Sequence, residues 1–166
     1  VQAQTDVLTG TLNRRSIVQN LQAALDDPTQ TSCVLALDID FFKKVNDTHG
    51  HQTGDQVLIH FCRTIETMLR KGDLLGRMGG EEFLVVANTL SLADAMGLAE
   101  RIRAAIASTP CLCSPDTPIA ITTSVGVAQP HVGETMEQLL ERADEALYRA
   151  KHAVRNRVLL AGAANA

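Results

Sequence analysis

The chain has 166 residues, 45% hydrophobic, 20% charged and 3% aromatic, and its 15 basic and 19 acidic side chains leave a formal charge of -4. A chain of this length buries about 70% of its unfolded surface around one core, so a single globular domain is expected and disordered or collagen-like chains are excluded. The acidic balance, with four Phe, one Tyr and no Trp, also excludes a general polyanion binder and a single-strand binder that works by base stacking.

Helical and strand-like stretches alternate along the chain. From Arg14 to Leu25, the residues Ile17, Val18, Leu21 and Leu25 recur at helical spacing and Asp26-Asp27-Pro28 closes the run, which predicts a first helix. Cys33-Val34-Leu35-Ala36-Leu37 is too short for a helix and reads as a buried strand that delivers Asp38 and Asp40 at its end. A polar loop from Asn46 to Asp55, with Gly50 and Gly54 in it, leads to a helix over Asp55–Leu69, whose stripe is Val57, Leu58, Phe61, Ile65, Met68 and Leu69. Leu74-Leu75 and Phe83-Leu84-Val85-Val86 flank Gly79-Gly80, a pair suited to the positive φ of a tight hairpin turn. Ser91 with Asp94 opens a helix faced by Ala95, Leu98, Ala99, Ile102 and Ile106, and Pro110, Pro115 and Pro118 then make a loop. Ala120–Ala128 is strand-like, Thr135 and Gln138 cap a last long helix, and Val158-Leu159-Leu160 adds a final strand before a tail, 161–166, expected to fray.

No run approaches the ~18 apolar residues of a membrane span, and no signal peptide opens the chain. The first methionine is Met68, so the chain reads as a piece cut from a longer protein, with residues 1–5 as the end of an upstream linker. Cys33, Cys62, Cys111 and Cys113 form no CxxC pair, and Cys111-Leu112-Cys113 lacks the further ligands of a zinc site. They are expected to be structural cysteines in a reducing compartment.

Three clusters carry chemistry. Asp38 and Asp40 alternate on one side of an extended chain, and together with Glu81 and Glu82 after the Gly-Gly pair they suggest a site for a hard cation such as magnesium, shared with a phosphate ligand. The plain alternative is a pair of acids that ends a strand. Arg149, Lys151, Arg155 and Arg157 gather at the end of the last helix, either as ordinary dipole-favoured cations or as a triphosphate grip. In the Asn46–Asp55 loop an amide and a carboxylate suit a guanine edge, although Asp55 also reads as a helix N-terminal acid and His49 and His51 as loop polarity.

These segments together resemble the GGDEF family of diguanylate cyclases, from about Asp6 to Asn156. Asp6-Val7-Leu8-Thr9-Gly10-Thr11-Leu12-Asn13-Arg14-Arg15 is similar to the family's opening D-x-L-T-G-L-x-N-R-R, with Thr11 where leucine is usual. Asp38-Ile39-Asp40-Phe41-Phe42-Lys43-Lys44-Val45-Asn46-Asp47 matches D-I-D-x-F-K-x-I-N-D, and Gly50-His51-Gln52-Thr53-Gly54-Asp55 matches G-H-x-x-G-D. Gly79-Gly80-Glu81-Glu82-Phe83 is the signature with glutamate for aspartate at its third position, and Val154 stands where glycine usually precedes Arg155-Asn156.

The resemblance implies a single domain over 1–166, with a central, mostly antiparallel sheet flanked by helices (an α/β, α+β sandwich), akin to nucleotidyl cyclases and polymerase palms. It implies a homodimer that condenses two GTP into cyclic di-GMP and two pyrophosphates. Asp38, the Ile39 carbonyl and Glu81 would hold Mg2+ or Mn2+, with Glu81 or Glu82 taking the hydroxyl proton. Asn46 and Asp55 would hold guanine; Phe41 and Phe42 through their backbone N–H groups, with Lys43, Lys151 and Arg155, would hold the outer phosphates. Arg70-Lys71-Gly72-Asp73 sits where the family's R-x-x-D product-inhibition site lies, with Arg101 as a second arginine; a surface ion pair is the plain alternative. The expected partners are GTP, cyclic di-GMP, an identical subunit and an upstream sensory domain, with no DNA, RNA or membrane contact, in the cytoplasm. The competing reading is a catalytically silent module that binds GTP or cyclic di-GMP.

Overall fold

The computed structural model describes residues 3–89, 91–113 and 117–162. Five strands and five helices follow one another: α1 (Arg14–Asp26), β1 (Ser32–Ile39), α2 (Phe42–His49), α3 (His51–Glu66), β2 (Leu74–Arg77), β3 (Glu82–Asn88), α4 (Leu92–Ser108), β4 (Thr123–Ala128), α5 (Met136–Ala153) and β5 (Val158–Leu160). The strands form one sheet in the order β2-β3-β1-β4-β5, antiparallel except where β5 runs parallel to β4. The expected architecture is therefore present.

β1 lies in the middle, and every one of its residues is buried. Its side chains alternate between two cores, as strand geometry requires. Cys33, Leu35, Leu37 and Ile39 pack with α3 and α4, where Phe61 and Phe83 meet at 5.3 Å; Val34 and Ala36 pack with α1 and α5. Helix starts are fixed by side chains that accept otherwise orphaned N–H groups: Asn13 from Ser16, Ser91 from Asp94, and Thr135 from Gln138 in a reciprocal capping box. α5 crosses β4 so closely that a Cβ on Gly126 would lie 2.3 Å from the Ala143 carbonyl and 2.5 Å from the Leu147 nitrogen.

Several expectations need correction. The Asn46–Asp55 segment is helix on both sides of Gly50, which turns the chain at φ 90, so Gly54 and Asp55 lie inside α3 and not in a loop before it. Polar surface residues hid α2, since only Phe42 of its eight residues is buried. Gly79 and Gly80 do not adopt positive φ; a longer turn closes with Met78 N–H donating to the Glu82 carbonyl at 2.7 Å. β4 begins at Thr123, three residues after the predicted strand start. Cys111 and Cys113 are disulfide-bonded, beside the point where Cys111 and Ile119 exchange backbone hydrogen bonds, and these two cysteines no longer argue for a reducing compartment. Cys33 and Cys62 are free, and burial pushes both thiols up. Ala161 donates to Val127 and is 8% exposed, while most of the tail, 163–166, lies outside the described residues. Among the described residues, no helix is long and apolar enough to cross a membrane.

The approach of α5 to β4 gives a stability test. Gly126→Ala is expected to cost about 2–3 kcal/mol, since backbone and not a flexible side chain blocks the methyl, and to lower Tm in a thermal melt by about 4–12 °C.

Candidate functional site

The site grows from the end of the central strand. Asp38 stands opposite Glu82 of β3 and Ser124 of β4, and its side chain faces α5. It is 3% exposed, and Lys151 from the last turn of α5 donates to its Oδ2 at 2.8 Å. Burial outweighs that cation and raises the carboxyl to about 6, and the negative charges of Glu81 and Glu82 push it the same way. The second oxygen, Oδ1, is buried with no hydrogen-bond partner. An open carboxylate oxygen with further carboxylates beside it has the chemistry of a hard-cation ligand. Among the described residues no three His, Cys, Asp or Glu side chains converge into a metal cage. A cation here could be held by Asp38, Glu81 and the Ile39 carbonyl with ligand phosphates completing the shell, which is how magnesium is commonly bound.

Asp40 reaches the same side of the sheet, as alternation predicts, but not the same role. Its Oδ1 accepts from Ser124 Oγ at 2.7 Å, and its Oδ2 accepts from Thr122 Oγ1 at 2.7 Å and from the Asn156 N–H at 2.9 Å. It is therefore not an open cation ligand.

Beside Asp38 lies a cleft of about 450 Å³ lined by Phe41, Phe42, Lys43, Glu81, Lys151 and Arg155, among others. α2 begins at its wall without a side-chain cap, so its first N–H groups have no intrahelical acceptor and the positive end of the helix is suited to an anion. Phe41, in the left-handed region at φ 57, turns the chain from β1 into α2, and the Arg155 guanidinium stacks on its ring at 4.3 Å. Such a stack offsets the roughly 1–2 kcal/mol cost of that conformation. Val154 has φ -141, an ordinary value, so the missing glycine does not disturb the turn; Arg155 and Asn156 are the left-handed residues. A larger cavity of about 520 Å³ opens on a different face of α2, against Ile119 and Ile121, and Asp40 and Phe41 line it too.

Asn46 on α2 packs against α3 at Gly54, the residue before Asp55. Gly54 makes the approach possible: a Cβ there would lie 1.8 Å from Asn46 Oδ1, and that oxygen is buried without a partner. Asp55 is exposed and falls in the second turn of α3, so helix capping does not explain it.

The sequence reading missed Arg77. It holds the signature turn from behind, donating to the Gly79 and Gly80 carbonyls and to the Asp6 carboxylate at 3.2 Å. Asp6 in turn accepts from the Thr9 N–H at 3.0 Å and from its hydroxyl at 2.8 Å; burial pushes its carboxyl up, but the Thr9 bonds and the Arg77 guanidinium together hold it below the usual range. The opening motif is thus bolted to the hairpin. A charged residue immediately before Met78-Gly79-Gly80 was the available signal.

Arg70 and Asp73 are not a side-chain ion pair. Asp73 accepts from the Arg70 N–H at 2.8 Å and the Asn88 N–H at 2.9 Å, closing the turn at Gly72, whose φ is 95. Each oxygen keeps a lone pair for a ligand. The Arg70 and Arg101 side chains have no hydrogen bond within the described residues, and nothing ties the two together.

The family model described as diguanylate cyclase, GGDEF domain, matches residues 3–157. The diguanylate cyclase DgcM of Escherichia coli is 41% identical over 167 residues, covering 96% of this chain and 38% of its own length, so the chain spans well under half of that relative. The crystal structure of the GGDEF domain of DgcB from Caulobacter crescentus, in complex with c-di-GMP, is 36% identical with a TM-score of 0.90 and covers 96% of both chains. The active GGEEF domain of a diguanylate cyclase from Vibrio cholerae is 34% identical with a TM-score of 0.83, covering 90% of this chain and 97% of its own.

The Asp73 bonds separate a structural from a ligand-reading duty. Asp73→Ala is expected to cost about 1–2 kcal/mol in denaturant unfolding, whereas Arg70→Ala stays within about 0.5 kcal/mol of the parent.

Proposed function

Since the chain belongs to the GGDEF domain family of diguanylate cyclases, we propose that it condenses two GTP into cyclic di-GMP and two pyrophosphates, as a dimer of facing subunits. The observation that carries this reading is Asp38 Oδ1, a buried and unpartnered carboxylate oxygen whose carboxylate is bonded to Lys151, a residue that lines the neighbouring cleft with Lys43, Glu81 and Arg155. The carboxylates on one side and cations on the other suit a magnesium nucleotide triphosphate.

Each subunit binds one GTP. Asn46 and Asp55 take the guanine edge, Asp55 accepting from N1–H and N2–H2. The open N–H groups at the start of α2, with Lys43, Lys151 and Arg155, hold the β- and γ-phosphates. The 3′-hydroxyl of each GTP attacks the α-phosphorus of the other; the new O–P bond replaces the bond to pyrophosphate, and Glu81 or Glu82 receives the hydroxyl proton. Asp38, Glu81 and the Ile39 carbonyl would hold Mg2+, or Mn2+, which when bound neutralises charge on the transferred phosphoryl group. Glutamate at the third signature position keeps the carboxylate, as in the active GGEEF domain from Vibrio cholerae. Product returns to Arg70, Asp73 and Arg101, where an arginine donates to guanine O6 and N7 and Asp73 uses its remaining lone pairs. In the whole protein an upstream sensory domain sets the pairing of subunits, in the cytoplasm.

Protein held as a dimer through a fused coiled coil, given GTP and magnesium, is expected to release cyclic di-GMP and pyrophosphate at 1:2, and Glu81→Ala to lose about 1000-fold or more of that rate with an unchanged thermal melt. GTP binding without any product from the enforced dimer would favour the silent binding module instead. Arg70→Ala is expected to raise the cyclic di-GMP concentration that halves activity by about 10-fold or more, and an unchanged inhibition curve would remove the product site.

A further inference from the structure

Asp40 has no part in the chemistry above, yet both of its carboxylate oxygens are bonded and it is 3% exposed. Its three accepted bonds, from Thr122 Oγ1, Ser124 Oγ and the Asn156 N–H, are joined by a fourth in which its own N–H donates to the Thr122 carbonyl at 3.0 Å. Together they tie the end of β1, the approach to β4 and the turn after α5. That turn carries Arg155. Arg155 and Asn156 are consecutive non-glycine residues in the left-handed region, at φ 58 and 46, a conformation L-residues avoid unless something holds them. Within the described residues the Asn156 N–H is bonded to Asp40 alone, while its side-chain oxygen accepts from Arg103 at 2.9 Å. Phe41, the ring beneath the Arg155 guanidinium, directly follows Asp40 and is left-handed too. One carboxylate therefore grips both members of the stacked pair, Phe41 through the chain and Arg155 through the next residue. The Arg155 Nε is buried without a partner, so the stack leaves its donors for a ligand.

We propose that Asp40 is a positioning residue for the outer phosphates of the nucleotide: it holds the Arg155-Asn156 turn in its left-handed form and so fixes the Arg155 guanidinium over Phe41 at the cleft. This rests on reading that cleft as the phosphate part of a GTP site. The bond that holds the turn runs to Oδ2, which accepts from both Thr122 Oγ1 and the Asn156 N–H, so a side chain with no acceptor at that position releases the turn, whereas an amide could keep it by donating its NH2 to the Ser124 hydroxyl. Released from Asp40, the turn relaxes toward ordinary φ and carries Arg155 off the ring.

The test is a double-mutant cycle read by binding, not turnover. The α,β-methylene analogue of GTP, which cannot release pyrophosphate, and GMP are titrated by calorimetry with magnesium into the parent, Asp40→Ala, Arg155→Ala and the double variant. Asp40→Ala is expected to weaken the triphosphate analogue by about 10-fold or more while GMP stays within about 2-fold, and the double variant to bind the analogue no more than about 2-fold worse than Arg155→Ala alone. Equal losses for both nucleotides, or losses that multiply in the double variant, would overturn the proposal. If Asp40→Ala does not fold, Ser124→Ala, which frees Oδ1 alone, takes its place in the cycle, with a smaller loss and the same non-additivity expected. A parent that binds the analogue but makes no cyclic di-GMP would count against the cyclase reading only; a parent that does not bind it would remove both.

Discussion

A carboxylate carried to the end of a fully buried central strand has to be met there by a cation or by converging hydrogen-bond donors. Asp38 is in that position, and Lys151 meets it. Much of the architecture serves this one contact. Lys151 arrives only because α5 lies across β4, which the bare backbone of Gly126 permits, and α5 starts where the Thr135 and Gln138 capping box starts it. Lys151 is 30% exposed, so water screens its side of the pair and burial still dominates the Asp38 carboxyl, which sits near 6. The pairing is incomplete in a second sense, because Oδ1 has no partner. A structure that only needed to fold would have satisfied that oxygen or replaced the acid.

Around the Asp38 contact, charge is separated over a short distance. Glu81 and Glu82 come in on the hairpin that pairs with β1, and Lys43, Lys151 and Arg155 line the cleft beside it. The net charge of -4 conceals this division. On the proposed function Lys151 has two successive duties: it neutralises Asp38 in the free protein and turns to the phosphates when a divalent cation takes its place. The neighbouring acid, Asp40, supports the cationic wall instead, and the two acids of one Asp-Ile-Asp motif thereby end in opposite halves of the site.

Sheet and helices were legible where burial imposes a period. The stripes of α1, α3 and α4 and the apolar runs of β1 and β3 could be read directly, as could the caps at Ser91 and Thr135, while the cap at Asn13 came only with the structure. α2 was not legible, because a short helix with one buried residue carries no apolar period. The Gly79-Gly80 pair misled because glycine permits positive φ without requiring it. In the site, motif spacing singled out Asp38, Glu81, Lys151 and Arg155, all of which line or adjoin one cleft. It could not separate the role of Asp40 from that of Asp38, since the difference lies in Thr122, Ser124 and Asn156, more than eighty residues away along the chain. Arg77 escaped for the same reason: its partner Asp6 is joined to it only by the fold.

The central claim is that the open oxygen of Asp38 receives a divalent cation brought with a nucleotide. Mn2+ binding followed by electron paramagnetic resonance, with and without the α,β-methylene analogue of GTP, tests it on the parent and on Asp38→Asn. The expected result is weak Mn2+ binding to the parent alone, binding at least about 10-fold tighter with the analogue, and loss of that gain in Asp38→Asn. Mn2+ affinity that is indifferent to the nucleotide, or a gain that survives in Asp38→Asn, would contradict it.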